Sequence, residues 1–187
     1  MTLSIKNMVC PRCVESVEKV ISDMNLEAET IKLGEVVLKQ RLDRDQLDEL
    51  NGKLKSAGFE LILDRETAIA VQIKSALIEY LSYLEDQREP QKVSEYLSGR
   101  LNYNYSYLSN LFSERENQTI ESYLIRLKVE KAKELLSYKK WTLSEIAWKL
   151  KYSSVQYLSN QFKKVTGQTV TEYLKDPEKK RTPLDRL

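Results

Sequence analysis

One short stretch of this chain occurs twice, and that repeat restricts the fold more than any other feature. Tyr107-Leu108-Ser109-Asn110-Leu111-Phe112 returns as Tyr157-Leu158-Ser159-Asn160-Gln161-Phe162, and Gln118-Thr119 with Tyr123-Leu124 returns as Gln168-Thr169 with Tyr173-Leu174, always at an offset of 50. Upstream the offset is 49: Leu97, Ser98, Leu101 and Tyr103 correspond to Ile146, Ala147, Leu150 and Tyr152, so the second copy has one extra residue in its turn. A solenoid needs at least three units, so two copies mean a duplicated module. Each copy reads as a helix with a small inner residue (Ser98 or Ala147), a short polar turn, and a second helix carrying Leu108-x3-Phe112 or Leu158-x3-Phe162. A small residue lets two helices cross closely and a short turn holds them at a steep angle, which is the helix-turn-helix arrangement. Between the copies, Ile120 to Ser137 carries Leu124, Leu127, Leu135 and Leu136, predicting a helix about 27 Å long that serves as a strut between modules.

The first 64 residues follow a different pattern. Thr2 to Met8 alternates as a strand, and Pro11 starts a helix with Val14, Val17, Val20, Ile21 and Met24 on one face, ending near Asn25. Ala28 to Leu33 and Val36 to Leu38 flank Gly34 as two strands in tight connection. Asp43, with Gln46 three residues on, forms a capping box for a second helix carrying Leu47, Leu50 and Leu54; Gly58 ends it and Phe59 to Leu63 is a last strand. The order β-α-β-β-α-β is ferredoxin-like. Arg65 to Gln87 then reads as one helix with Ile69, Ile73, Leu77, Tyr80, Leu81 and Leu84 along one side, broken by Pro90. The expected organisation is an α+β chain: a ferredoxin-like domain over 1–64, a linker helix over 65–89, and an all-α domain with two helix-turn-helix modules over 90–187. The linker stripe must be covered, either within the chain or by a second copy, and a homodimer through residues 1–89 is expected.

Charge divides the same way. Of 187 residues, 1–89 carry 12 basic and 17 acidic side chains, net −5, while 90–187 carry 18 and 11, net +7. All eleven tyrosines lie after residue 79. The basic half is the one suited to a polyanion. The chain has no histidine, which removes Ser-His-Asp and Cys-His catalysis and imidazole-bound zinc. With no phosphate-cradling glycine loop and no carboxylate pair in a recognisable setting, no catalytic residue is assigned. Two cysteines three positions apart without a signal peptide imply a reducing, cytoplasmic setting, and no apolar run approaches the roughly 20 residues of a membrane span.

Over residues 92–175 the sequence resembles the DNA-binding domain of AraC-type bacterial transcription regulators. The signature is Leu143-Ser144-Glu145-Ile146-Ala147, Tyr152-Ser153-Ser154, Tyr157 to Lys164, and Thr166-Gly167-Gln168-Thr169-Val170-Thr171-Glu172-Tyr173, preceded by a strut from Tyr123 to Leu136. The resemblance implies double-stranded DNA as partner. Its base-facing positions fall on Ser106, Tyr107, Ser109 and Asn110 in the first module and on Val155, Gln156, Tyr157, Ser159 and Asn160 in the second. Arg115, Lys163 and Lys164 are its phosphate contacts. Gln156 and Asn160 carry amides suited to adenine, and Val155 suits a thymine methyl. Two departures stand out. Asn102 and Lys151 occupy turn positions where the family favours glycine, so the second turn should be strained. Neither recognition helix offers a base-facing arginine, the commonest partner of guanine.

The N-terminal part resembles heavy-metal-associated domains through Met8-Val9-Cys10-Pro11-Arg12-Cys13. That resemblance implies Cys10 and Cys13 as thiolate ligands of a soft ion such as Cu(I), with the helix start lowering the thiol pKa. A reversible disulfide and a purely structural role remain open, and Val9 and Arg12 depart from the family loop. The reading is a DNA-binding regulator with metal or thiol state at Cys10/Cys13 as candidate input. The rival is a metal-trafficking protein with a helical docking module.

Overall fold

A computed structural model describes residues 1–176, 181–184 and 187; residues 177–180 and 185–186 of the expected C-terminal domain lie outside it. The described residues fall into two compact units, one of 1–77 with 94–117 and the other of 78–93 with 118–187.

In the first unit, strands β1 (Thr2–Lys6), β2 (Ala28–Lys32), β3 (Glu35–Leu38) and β4 (Glu60–Ile62) form one sheet in the order β2-β3-β1-β4, every pair antiparallel. Helices α1 (Pro11–Asp23) and α2 (Arg44–Ser56) complete the ferredoxin-like order. The period-2 pattern of β1 places Leu3 and Ile5 in the core, with Val17 and Ile21 of α1 and Leu50 and Leu54 of α2. The expected capping box at Asp43 is present: Gln46 N–H donates to Asp43 Oδ1 (2.9 Å) and Asp43 N–H to Gln46 Oε1 (3.1 Å). Gly34, at φ +74, turns β2 into β3 where a Cβ would lie 2.3 Å from Ser75 Oγ, so both backbone conformation and space demand glycine.

Helix α3 (Arg65–Asp86) gives residues 65–77 to the first unit and 78–86 to the second. Its stripe Ile69, Ile73, Leu77, Leu81 and Leu84 is buried in the single chain, each residue at most 5% exposed. Of the two coverings open to the stripe, the chain itself supplies one, and a dimer through residues 1–89 must use other surface.

The first module is α4 (Val93–Leu101) and α5 (Tyr105–Glu116). The second unit holds α6 (Ile120–Ser137), α7 (Leu143–Lys149), α8 (Val155–Thr166) and α9 (Val170–Lys175). Its core gathers Val129, Ala132 and Leu136 of α6, Ile146 and Ala147 of α7, Leu158 and Phe162 of α8, and Tyr173 of α9. Ala147, 3% exposed, is the small residue at the helix crossing. A buried ion pair, Lys133 Nζ to Glu130 Oε1 at 2.6 Å, completes α6, and Glu130 also accepts from Thr182 N–H (2.9 Å). The second carboxylate oxygen is thus satisfied, which a buried charge requires. No helix among the described residues is long and apolar enough to cross a membrane.

Candidate nucleic-acid interface

Helices α5 and α8 are built alike from residues 50 apart. Asn104 caps α5 by accepting from Tyr107 N–H (2.8 Å), and Ser154 caps α8 by accepting from Tyr157 N–H (3.1 Å). Both helices end in a left-handed residue, Asn117 at φ +51 and Gly167 at φ +77. Thr119 and Thr169 cap the next helices. Leu108 and Phe112 in α5, and Leu158 and Phe162 in α8, are fully buried. Burial of one face fixes what the opposite face presents.

That opposite face holds the expected residues. Ser106, Tyr107 and Asn110 are exposed and Ser109 half-buried; Gln156, Tyr157 and Asn160 are exposed and Ser159 half-buried. Val155 differs, because it is half-buried and packs against the second module's core. Gln156 Nε2 donates to Asn160 Oδ1 at 2.9 Å. This bond leaves the Gln156 carbonyl and the Asn160 amino group, an acceptor beside a donor, on the outer face.

The turns before the two helices meet their left-handed requirement with non-glycine residues, Asn102 at φ +58 and Lys151 at φ +54. Asparagine tolerates that region; lysine is strained there. The tyrosine that follows each turn lies against one in the recognition helix, Tyr103 on Tyr107 at 5.3 Å between centroids and Tyr152 on Tyr157 at 5.9 Å. Each also receives a cation. Arg65 Nη2 donates to the Tyr103 hydroxyl (3.4 Å), while Lys128 Nζ of α6 stands 5.1 Å from the Tyr152 ring centroid. Among the described residues the buried Tyr152 hydroxyl has no hydrogen-bond partner. Burial pushes the Lys128 ammonium pKa down to about 8 and the Tyr152 phenol up.

The three expected phosphate contacts have different surroundings. Lys163 and Lys164 are exposed in the last turn of α8 and form no ion pair among the described residues. Lys164 shares an open groove with Gln161, Thr119 and Arg126, whose Nη1 donates to Gln118 Oε1 (3.0 Å). Arg126 is a cation that the sequence reading passed over, because it lies on the strut rather than on a recognition helix. Arg115 is engaged: its guanidinium donates to the Glu66 carboxylate and stands 3.9 Å from Asp64 Oδ2. Sequence gave no signal for this pairing, because its partners are 49 residues apart.

At the N-terminal loop, Cys10 is the N-cap of α1 and Pro11 its first helical residue. The Sγ atoms of Cys10 and Cys13 are 3.2 Å apart, both half-buried and both free thiols. The expected lowering of thiol pKa does not hold at Cys13: burial raises it, and the hydrogen bond with Cys10 raises it further. Two sulfurs are chemically apt for a soft monovalent ion, yet metal–sulfur bonds of about 2.3 Å on opposite sides of an ion need a wider gap than 3.2 Å, so one side chain must rotate. Among the described residues no group of three or more His, Cys, Asp or Glu is placed to hold a metal.

Residues 97–176 match the family model described as a helix-turn-helix domain. The chain is similar to an uncharacterized HTH-type transcriptional regulator of Bacillus subtilis, YtdP, at 23% identity over 163 residues. That alignment takes in 87% of this chain and 21% of the relative, so the chain spans about one fifth of the relative's length. Among solved structures it is similar to the C-terminal domain of AraT, a response regulator from Geobacillus stearothermophilus, at 25% identity and TM-score 0.47, over 59% of this chain and 86% of that one.

Proposed function

We propose that this chain, whose residues 97–176 match a helix-turn-helix domain, is a cytoplasmic, non-enzymatic transcription regulator of the AraC type that binds a specific double-stranded DNA site through both modules. The observation that carries the reading is the equivalence of α5 and α8: side-chain N-caps and left-handed C-caps at matching positions, the same buried Leu-x3-Phe, and outward tyrosine, serine and asparagine in common, 50 positions apart. Ser106, Tyr107, Ser109 and Asn110 read one major-groove segment, and Gln156, Tyr157, Ser159 and Asn160 read the next. Gln156 and Asn160 form a joined amide pair that offers adenine an acceptor for N6–H and a donor for N7. Lys163 and Lys164 hold phosphates and fix register rather than sequence. Val155 supports α8 from within and has only its outer edge for a thymine methyl. Selection of bound sequences from a random duplex pool tests the reading; recovery of no preferred sequence would refute it.

A second reading concerns Cys10 and Cys13, whose contact at 3.2 Å favours chemistry between the two sulfurs. Loss of two protons and two electrons to a thiol oxidant would join them as a disulfide; a soft ion such as Cu(I) would require both thiolates and a side-chain rotation. Anaerobic titration with Cu(I), alongside thiol counting after mild oxidation, separates these. A homodimer through residues 1–89 has the sheet edges β2 and β4 as candidate surfaces, since the α3 stripe is covered. Sedimentation of the full chain tests it.

A further inference from the structure

Two carboxylates stand around the guanidinium at the end of the first recognition helix. Arg115 donates to Glu66 and lies 3.9 Å from Asp64; Asp64 ends the short segment that joins β4 to α3 and Glu66 stands in the first turn of α3. The contact extends beyond one pair. One residue along, Glu116 pairs with Lys74 of α3 at 2.5 Å, and at the turn before α5 the Tyr103 hydroxyl accepts from Arg65. Negative, positive and polar groups of residues 64–74 thus meet complementary groups at both ends of α5. All of these residues belong to the first compact unit.

Asp64 is held for this role. Its Oδ2 accepts from Thr67 N–H (2.8 Å) and Thr67 Oγ1–H (2.6 Å), capping α3 and fixing the carboxylate. The pair itself is exposed, with Arg115 at 42%, Glu66 at 54% and Asp64 at 58% side-chain exposure. An exposed pair is weak and screened by salt, so a DNA phosphate can displace it. The second module differs: Lys163 and Lys164, at the same end of α8, form no ion pair among the described residues, and Lys163 has only a longer-range electrostatic neighbour in Glu172.

We infer that Asp64 and Glu66 act as an internal phosphate mimic that occupies Arg115 in the DNA-free protein and holds back the first module relative to the second. This rests on the proposed DNA-binding function and deepens it, because it makes the junction between the N-terminal domain and α3 a brake on one half of the interface.

The test uses the full chain and a random-sequence duplex, with affinity measured across a salt series for the native protein, Glu66→Gln, Arg115→Ala and the double variant. Glu66→Gln leaves the Asp64 cap intact, and thermal unfolding of each variant checks that it folds. Glu66→Gln should bind about two- to fivefold more tightly at low salt, the advantage shrinking as salt rises. Arg115→Ala should remove that advantage, costing more in the Glu66→Gln background than in the native one. Glu15→Gln with Asp48→Asn, which removes two exposed acids elsewhere in the N-terminal domain, should leave affinity within about twofold. Equal affinity of Glu66→Gln and native protein, or a gain that persists without Arg115, would overturn the brake while leaving the DNA-binding function intact. Failure of every variant to bind duplex at low salt would overturn both.

Discussion

The two modules have the same local design and different company. Each has a left-handed turn residue, a tyrosine paired with a recognition-helix tyrosine, a side-chain N-cap and a buried Leu-x3-Phe. They part where long-range neighbours enter. In the first, Arg65 satisfies the Tyr103 hydroxyl and acids at the α3 start occupy Arg115; in the second, Lys128 stands over Tyr152, and among the described residues the Tyr152 hydroxyl has no partner and Lys163 and Lys164 form no ion pair. Duplication fixes a module's frame, while its readiness for a polyanion is set by what packs around it.

The largest expected effect comes from breaking either frame. Phe112→Ala and Phe162→Ala each remove a fully buried ring and should cost about 3–5 kcal/mol of stability, measured by denaturant unfolding. A much smaller loss for one of them would show that the modules are not equivalently packed. Next in size is base reading. Asn160→Ala or Gln156→Ala should cost about 1–3 kcal/mol on the preferred site and relax one base position, whereas Lys164→Ala should weaken all duplexes alike and reduce the salt slope by about one unit. Equal losses on specific and random DNA for Asn160→Ala would move that residue out of the reading set.

Two smaller predictions sharpen the difference between the turns. Lys151→Gly should stabilise by about 1 kcal/mol by relieving left-handed strain, and Asn102→Gly should be close to neutral; thermal midpoints of the two variants compare them. Lys128 gives a pH signature. Its ammonium is disfavoured in the folded protein, where the pKa is about 8 against 10.5 in the open chain. Between those values the unfolded state binds more protons, so stability should rise with pH, and below pH 8 the penalty is constant. Because water still reaches part of this half-buried side chain, the rise is discounted to on the order of 1–2 kcal/mol. The raised Tyr152 phenol opposes it once the unfolded tyrosine ionises, near pH 10. Lys128→Met should abolish the rise; an unchanged profile would assign it elsewhere.

What the sequence made legible was local or periodic. The repeat placed α5 and α8, the Asp43/Gln46 box placed α2, and the alternation in β1 placed the sheet core, because each depends on neighbours within a few residues. The Glu66–Arg115 pair, the close approach of Ser75 to Gly34 and the burial that raises the Cys13 pKa arise from residues brought together by folding, and spacing along the chain carries no trace of them. The covering of the α3 stripe was equally hidden: a helix face records that it must be buried, not what buries it.

Hydroxyl-radical footprinting on a duplex selected from a random pool tests the two-module account most directly. Two protected patches per chain about 34 Å apart on one face of the duplex, with the patch belonging to α8 weakened by Asn160→Ala and the other retained, are predicted. A single short patch per chain would contradict it.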